Sequence, residues 1–290
     1  MTAERPAPRP LGSVAILGLG LMGGSLGMAL RSRRAAAQVV GWNRSEGPAL
    51  RAREAGAVDR LAASPQEAAR EAELVVVALP VDCIVETAKS VAAAIGPTSV
   101  VTDVGSVKAR IVAEASEALG GRFVGGHPMA GSEESGIGSA CASLYEGAPW
   151  VITPAPRTEP SAVESVVRLA GAVGGRPVLL SPEVHDRWVA AVSHLPHVAA
   201  YAMAAAAYDL AGADGLRIAA GSYRDGTRVA LSDPSLWAGI LMENREAVLV
   251  AMERLAGWLD QATAVLREGD RCGLERLLQD ARNARPRCQR

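Results

Sequence analysis

Aromatic side chains are scarce. Phenylalanine occurs once, and Phe, Trp and Tyr together make up 3% of the 290 residues. Hydrophobic residues still reach 49%, so real cores are available, but they must be built from Ala, Val and Leu. There is no excess of either charge: the formal net charge is −1. That balance offers no basic field for a polyanion, so neither nucleic acid nor an anionic membrane is an expected partner. The four cysteines, Cys83, Cys141, Cys272 and Cys288, contain no C-x-x-C pair, which suits neither a disulfide framework nor a zinc site and fits a reducing cytoplasm. No metal site is expected. Long unbroken apolar runs are also missing. The stretch 14–30 follows Arg5 and Arg9 and could pass for a signal core or short span, yet it carries five glycines, runs into arginines and lacks a cleavage pattern. It reads as a strand, a turn and the start of a helix.

What is present is an alternation. Short β-branched runs at 14–17, 39–42, 74–78, 100–102, 122–124, 150–153 and 177–180 read as strands. Helical patterns at 25–33, 47–55, 64–71, 83–94, 108–119 and 161–173 separate them. Near-continuous apolar strands alternating with helices predict a mostly parallel sheet covered on both faces. After Ser181 the pattern changes to helix alone, with long periodic stretches at 184–210 and 234–267. Pro196 should kink the first of these or be absorbed by local rearrangement. The length favours two domains, placed at 1–181 and 182–290. An Ala- and Leu-rich helical half predicts a face buried against a second copy, an ordinary monomeric helical core being the alternative. Residues 1–10 read as a disordered lead and 283–290 as a frayed tail.

Gly18-Leu19-Gly20-Leu21-Met22-Gly23 is G-x-G-x-x-G, directly after a strand and opening a helix. The first glycine permits the tight turn, the second admits a pyrophosphate to backbone N–H groups, and the third lets helix and strand pack closely. The next strand ends in Asn43-Arg44-Ser45. An NAD site usually places a carboxylate where Asn43 stands, to bond the ribose diol; Asn, Arg and Ser can instead bond a 2′-phosphate. NADP is therefore the expected cofactor, with NAD usable if Arg44 stacks on the adenine. Leu79, Pro80 and Gly105 are assigned to the same cofactor site.

All four histidines lie mid-chain, at 127, 185, 194 and 197. Gly125-Gly126-His127-Pro128-Met129-Ala130-Gly131-Ser132-Glu133 follows a strand, and a histidine on a loop past a strand's carboxyl end is where α/β proteins place ligands and catalysts. Asp103-Val104-Gly105-Ser106-Val107-Lys108 ends another strand, with Ser106 expected to cap the following helix. Lysine occurs only as Lys89 and Lys108 against 28 arginines, so either position 108 needs a compact charge or chance placed lysine there. Ser193-His194-Leu195-Pro196-His197 puts two imidazoles beside a proline kink. Tyr223-Arg224-Asp225-Gly226-Thr227-Arg228 sets two guanidinium groups four residues apart around an expected turn, a pairing suited to gripping carboxylates.

Residues 18–25, 103–108, 125–133, 193–197 and 224–228, taken together and in order, resemble the prephenate/arogenate dehydrogenase family. The resemblance implies a Rossmann-like domain followed by a helical dimerisation domain. It implies that prephenate or arogenate is oxidised by hydride transfer to NAD(P) and decarboxylated, on the way to tyrosine. His127 would take the proton of the ring hydroxyl and Ser106 would orient that hydroxyl. His197 would line the pocket, Arg228 would bind a substrate carboxylate with Arg224 nearby, and Ser132 and Glu133 would edge the pocket. His185 and His194 are assigned to structure. The chain stops near where some relatives continue into a regulatory domain, so tyrosine feedback through such a domain is not expected. Tyr223 and Gly226 depart from the family's usual residues and leave the choice among prephenate, arogenate and an amino-substituted analogue open. A 3-hydroxy-acid dehydrogenase would need a lysine in the helical half, where none exists. A non-catalytic NADP-sensing protein would have no use for His127, Ser106, His197 and Arg228 together.

Overall fold

The computed structural model describes residues 10–285, so the expected lead at 1–9, the end of the tail and Cys288 lie outside the described residues. The first part alternates as the pattern requires: β1 (Leu11–Leu17), α1 (Leu21–Ser32), β2 (Ala36–Trp42), α2 (Glu46–Glu54), β3 (Arg60–Leu61), α3 (Pro65–Ala69) and β4 (Leu74–Val77). It continues through α4 (Val81–Val91), β5 (Val100–Asp103), α5 (Ala109–Leu119), β6 (Phe123–Pro128), β7 (Pro149–Thr153), α6 (Pro160–Ala172) and β8 (Arg176–Leu179). The eight strands form one sheet in the order β3-β2-β1-β4-β5-β6-β7-β8. All neighbours are parallel except β6 and β7. Strand β3 has only two residues, too short to leave a periodic signal in the sequence.

Both faces of the central strands of the sheet are dry. In β1, Val14 and Ile16 enter one core while Ala15 and Leu17 enter the other, and β4 divides its residues in the same way. This is the period-2 alternation of a strand with apolar contacts on both sides. The first core also holds Leu26 and Ala29 of α1 and Val166 and Leu169 of α6; the second holds Ile84 of α4 and Ile111 of α5. Small aliphatic residues dominate both, with Phe123, Tyr145 and Trp150 as the large exceptions.

The helical part runs α7 (Pro182–Val189), a π-helical turn Ala190–His194, α8 (Leu195–Gly215), α9 (Gly221–Thr227), α10 (Pro234–Glu243), α11 (Arg245–Glu268) and α12 (Arg271–Ala284). The π turn directly precedes Pro196, a local widening that accommodates the proline without ending the helix. Several boundaries differ from expectation. The stretch 234–267 is broken at Asn244, whose φ of −109° and ψ of 26° leave the helical region. Helix α12 reaches Ala284, so residues 283–284 are helical, not frayed. Arg224 lies on α9 and Arg228 opens a 3-10 turn, so the segment between them is helical and not a loop turn.

Compact units divide between Asn244 and Arg245, leaving α11 and α12 as a unit that packs on itself. The run Pro182–Ile218 is long and apolar enough to cross a membrane by length and composition alone. Trp188, Val192, Met203, Tyr208 and Leu210 within it are exposed.

The tight glycine packing offers a test. A Cβ on Gly23 would lie 1.8 Å from the Gly18 carbonyl oxygen, a backbone atom that cannot swing aside. Gly23→Ala should therefore destabilise the protein by roughly 1–3 kcal/mol or more, read as a lower Tm. An unchanged Tm would mean that α1 and β1 do not need this approach.

Candidate active site

The sheet order reverses between β1 and β4, and the crevice at the carboxyl ends of such strands is where α/β sheets receive ligands. The glycine turn sits there. Gly18 has φ +105°, and a Cβ on it would meet the Ala78 carbonyl oxygen at 2.3 Å, so the chain from β1 can only turn here with glycine. At Gly20, by contrast, a Cβ would meet nothing within 4 Å, which leaves open space in front of the uncapped N-terminus of α1. No acidic residue lies in the first turn of that helix. An open, acid-free helix start suits a pyrophosphate, so the residues present fit a dinucleotide.

The flanking residues divide their tasks. Leu19 is fully buried in the core, and its backbone N–H donates to Asn43 Oδ1 at 3.1 Å. Asn43 Nδ2 donates to the Ser45 carbonyl at 3.0 Å, so Asn43 ties the end of β2 to the glycine turn. Leu21 and Met22 open α1 and are half-buried. Arg44 and Ser45 are exposed beyond β2, and Leu79 and Pro80 follow β4, with Pro80 starting α4.

Farther along the same edge lie the ends of β5 and β6. His127 belongs to β6 itself, paired with Val151 of β7, and is buried; it was expected on a loop beyond the strand. Gly126 allows this close packing, since a Cβ there would meet the Asp103 carbonyl oxygen at 2.6 Å. Asp103 is wholly buried. Its carboxylate accepts the N–H groups of Gly105 (2.8 Å) and Gly126 (3.1 Å) and pairs with the buried Lys108 ammonium. The loop holding Gly105 and Ser106 is thus tied to the strand that carries His127.

Ser106 does not cap α5. The helix begins at Ala109, and the N–H groups of Lys108 and Ala109 both donate to the carboxylate of Asp186, at 2.8 Å each. That carboxylate also contacts His185 Nδ1 at 2.7 Å, and His185 Nε2 lies 2.8 Å from His127 Nδ1. His185, assigned to structure from the sequence, is therefore in direct contact with the proposed base. Asn244 donates to the Asp186 carbonyl at 2.8 Å and lies 3.1 Å from His194 Nδ1.

Trp237 links these groups to His197. His197 stacks on it with ring centroids 3.4 Å apart, and His194 meets it edge-on at 6.0 Å. Val81, Val107 and Ile240 pack around the same indole. The His197 Nδ1–H donates to the Ser193 carbonyl at 2.9 Å. Arg228 acts electrostatically on His197 and forms an ion pair with Glu133 at 2.6 Å. A substrate carboxylate reaching Arg228 would have to share or displace that partner. Ser132 is exposed, and its hydroxyl accepts the Glu134 N–H at 3.2 Å within its own loop. Arg224 is exposed on α9. Asp186, His185, Trp237 and Asn244 were not foreseen as site residues. An acid capping a helix 77 residues away leaves no local signature.

Burial holds the imidazoles neutral. It pushes His127 well below the ordinary histidine range, and His185, Lys108 and His194 push the same way. Burial also lowers His185, against the opposing pull of Asp186, and lowers His197. His194 falls to about 4 for the same reason. Lys108 is lowered by burial too, with Asp103 countering.

A family model described as "Prephenate dehydrogenase, nucleotide-binding domain" matches residues 26–179, and one described as "Prephenate dehydrogenase, dimerization domain" matches 181–280. The chain belongs to the prephenate dehydrogenase family. It is 33% identical over 278 residues to the prephenate dehydrogenase of Bacillus subtilis (strain 168), covering 94% of this chain and 75% of the relative. A crystal structure of the A. aeolicus prephenate dehydrogenase in complex with hydroxyphenyl propionate and NAD+ superposes with a TM-score of 0.88. The identity there is 32%, over 96% of this chain and 98% of that one. The Synechocystis arogenate dehydrogenase structure gives a TM-score of 0.79 and 30% identity, over 94% and 98% of the two chains.

Neutral buried histidines carry a pH signature. The folded pKa of His194 lies below its unfolded value of about 6.5, so the unfolded chain binds more protons between the two. Stability is then present above the unfolded pKa and falls as pH drops from about 6.5 towards 4. His194 alone should remove about 2 kcal/mol between pH 7.5 and 5. Urea unfolding at both pH values measures it, and equal midpoints would refute the neutral cluster.

Proposed function

We propose that this protein, as a homodimer, catalyses the oxidative decarboxylation of prephenate or arogenate, yielding 4-hydroxyphenylpyruvate or tyrosine and carbon dioxide. The observation that carries this reading is His127: a buried, neutral imidazole at the carboxyl edge of the sheet, tied to the Ser106 loop and linked through His185, Asp186 and Asn244 to His194, whose ring meets Trp237 and, across it, His197. A bound nicotinamide would supply the acceptor for the hydride of the hydroxyl-bearing ring carbon. His127 takes the hydroxyl proton, and Ser106 orients that hydroxyl. Arg228, with Arg224 adding charge, holds a substrate carboxylate in a bidentate grip. His197 and Glu133 line the pocket and Ser132 edges it. The developing ring ketone draws electrons as the ring carboxylate leaves, and aromatisation makes the step irreversible. The glycine turn 18–23 with Leu79, Pro80 and Gly105 holds the dinucleotide.

The exposed apolar side chains of the helical part give a second copy a surface to cover. A reducing cytoplasm is the compartment that suits the free thiols of Cys83, Cys141 and Cys272.

His127→Asn should lower kcat by roughly 10²–10⁴-fold, the usual worth of a general base, while cofactor affinity stays near its original value. Following reduced-nicotinamide absorbance with prephenate and with arogenate measures it. Near-normal turnover would remove His127 from the chemistry.

For the cofactor, we infer a preference for NADP over NAD. No carboxylate stands at the end of β2; Asn43 is committed to the glycine turn, and Arg44 with Ser45 remains exposed to meet a 2′-phosphate. A charge-assisted contact is worth roughly 1.5–3 kcal/mol, or about one to two decades of affinity. NADP should therefore give the higher kcat/KM, and Arg44→Ala should erase most of the difference. A wild-type enzyme that prefers NAD would place Arg44 on the adenine face instead.

A further inference from the structure

The hydrogen bonds that end at Asp186 determine where protons sit in its neighbours. Both carboxylate oxygens of Asp186 accept backbone N–H groups, from Lys108 at Oδ1 and Ala109 at Oδ2. Backbone amides can only donate, so both oxygens act as acceptors, the arrangement that favours a carboxylate over the acid. Its third contact, His185 Nδ1 at 2.7 Å from Oδ1, must then be an N–H donor. A neutral His185 with its proton on Nδ1 has a bare Nε2. That atom lies 2.8 Å from His127 Nδ1, and two lone pairs cannot face each other at this distance. His127 therefore carries its proton on Nδ1 and presents a bare Nε2.

We propose that His185 and Asp186 are positioning residues for the reaction, fixing His127 in the tautomer whose Nε2 can accept the substrate's hydroxyl proton and sharing the positive charge that results. The proposal rests on His127 being the base. In the step, the hydroxyl O–H bond breaks and a bond forms from that proton to His127 Nε2. The O–H electron pair becomes the second bond of the ring carbonyl as hydride leaves the carbon for the nicotinamide. His127 is then an imidazolium whose Nδ1–H points at His185 Nε2, and behind it stands the Asp186 carboxylate. As the bond to the ring carboxylate breaks, its electron pair passes through the ring onto the former hydroxyl oxygen, and the proton returns from His127 Nε2 to that oxygen, giving the phenol and restoring the neutral imidazole.

The other charged or titratable neighbours do not compete for this role. Lys108 is paired with Asp103, and its charge disfavours the imidazolium. His194 is held through Nδ1 by Asn244 and disfavours it as well. Asp186, acting through His185, is the anion in line with the base. The arrangement has the logic of a buried acid orienting a catalytic imidazole, extended by one histidine.

Two measurements test it on the full-length enzyme. The first is ¹⁵N NMR of histidine-labelled protein, with His127 assigned by comparison with His127→Asn. Wild type should show His127 protonated at Nδ1 and bare at Nε2 at neutral pH. Asp186→Asn, whose amide can donate towards His185, should give the opposite or a mixed tautomer. A bare Nδ1 in wild type overturns the proposal whatever the activity assays show.

The second is kinetic. His185→Leu removes the acceptor and should lower kcat by about 10²-fold or more, with the substrate KM changed by less than about threefold. His185→Gln offers a carbonyl within similar reach and should recover kcat to within roughly tenfold of wild type. The acid limb of the kcat/KM profile should move to lower pH in Asp186→Asn, because an anion favouring the imidazolium is lost. Asp186 also caps α5; should that variant not fold, the two His185 variants and the wild-type tautomer decide. If His127→Asn is inactive while His185→Leu keeps wild-type kcat, the relay is refuted and His127 remains the base. If His127→Asn is active, the base assignment fails, and this proposal with it.

Discussion

One carboxylate organises the site. Asp186 receives the two leading N–H groups of α5, a helix of the nucleotide-binding part, while its own chain position lies on α7, in the helical part. A buried acid at a helix N-terminus satisfies orphan donors and meets the positive end of the dipole. The same oxygens orient His185, and His185 touches His127. Removing the cap would therefore do more than fray a helix. It would release the segment that places the histidines against the sheet.

A second buried anion works from the other side. Asp103 binds the backbone of Gly105 and Gly126 and pairs with Lys108, so β5, the loop after it and β6 are tied together. Breaking a buried ion pair from one side leaves a charge in low dielectric, which typically costs about 3–5 kcal/mol. This accounts for a lysine at 108 in a chain otherwise committed to arginine. A point charge on a flexible stem fits beneath the strand, where a planar guanidinium fork would need more donors satisfied than Asp103 can offer.

Much of this architecture was legible in the sequence, and the failures share a cause. The strands follow from short β-branched apolar runs, the switch to helix after Ser181 from helical periodicity, and the glycine turn from a motif with a steric mechanism. His127, Ser106, His197 and Arg228 stood out because unusual residues cluster around them. What the sequence could not reveal were relations between distant segments. Ser106 was expected to cap α5 because it precedes the helix, but Asp186, 77 residues from Ala109, does so instead. His185 read as structural because its partners, Asp186 aside, are remote in sequence. Trp237, one of five tryptophans, gave no sign that His197 stacks on it. The strand assignment stopped at residue 124 because two glycines follow, yet glycine is what lets β6 continue past Asp103.

The electrostatic balance around His127 then explains why a base can operate in so closed a place. A lone buried carboxylate near an imidazole would hold it protonated, and a lone buried cation would make it too weak a base. Here Asp103 is matched by Lys108 and two backbone donors, while Asp186 is matched by two backbone donors and the His185 N–H. Neither anion contacts His127 directly, so the resting imidazole stays neutral under the influence of burial and the nearby cation. When the hydroxyl proton arrives, the new charge finds a polarisable imidazole and then a fixed carboxylate, already oriented, along one line of hydrogen bonds. Burial and Lys108 thus weigh against a proton on His127 at rest, while Asp186, acting through His185, supports the charge once it forms. That opposition lets a dry site accept a proton without holding one beforehand.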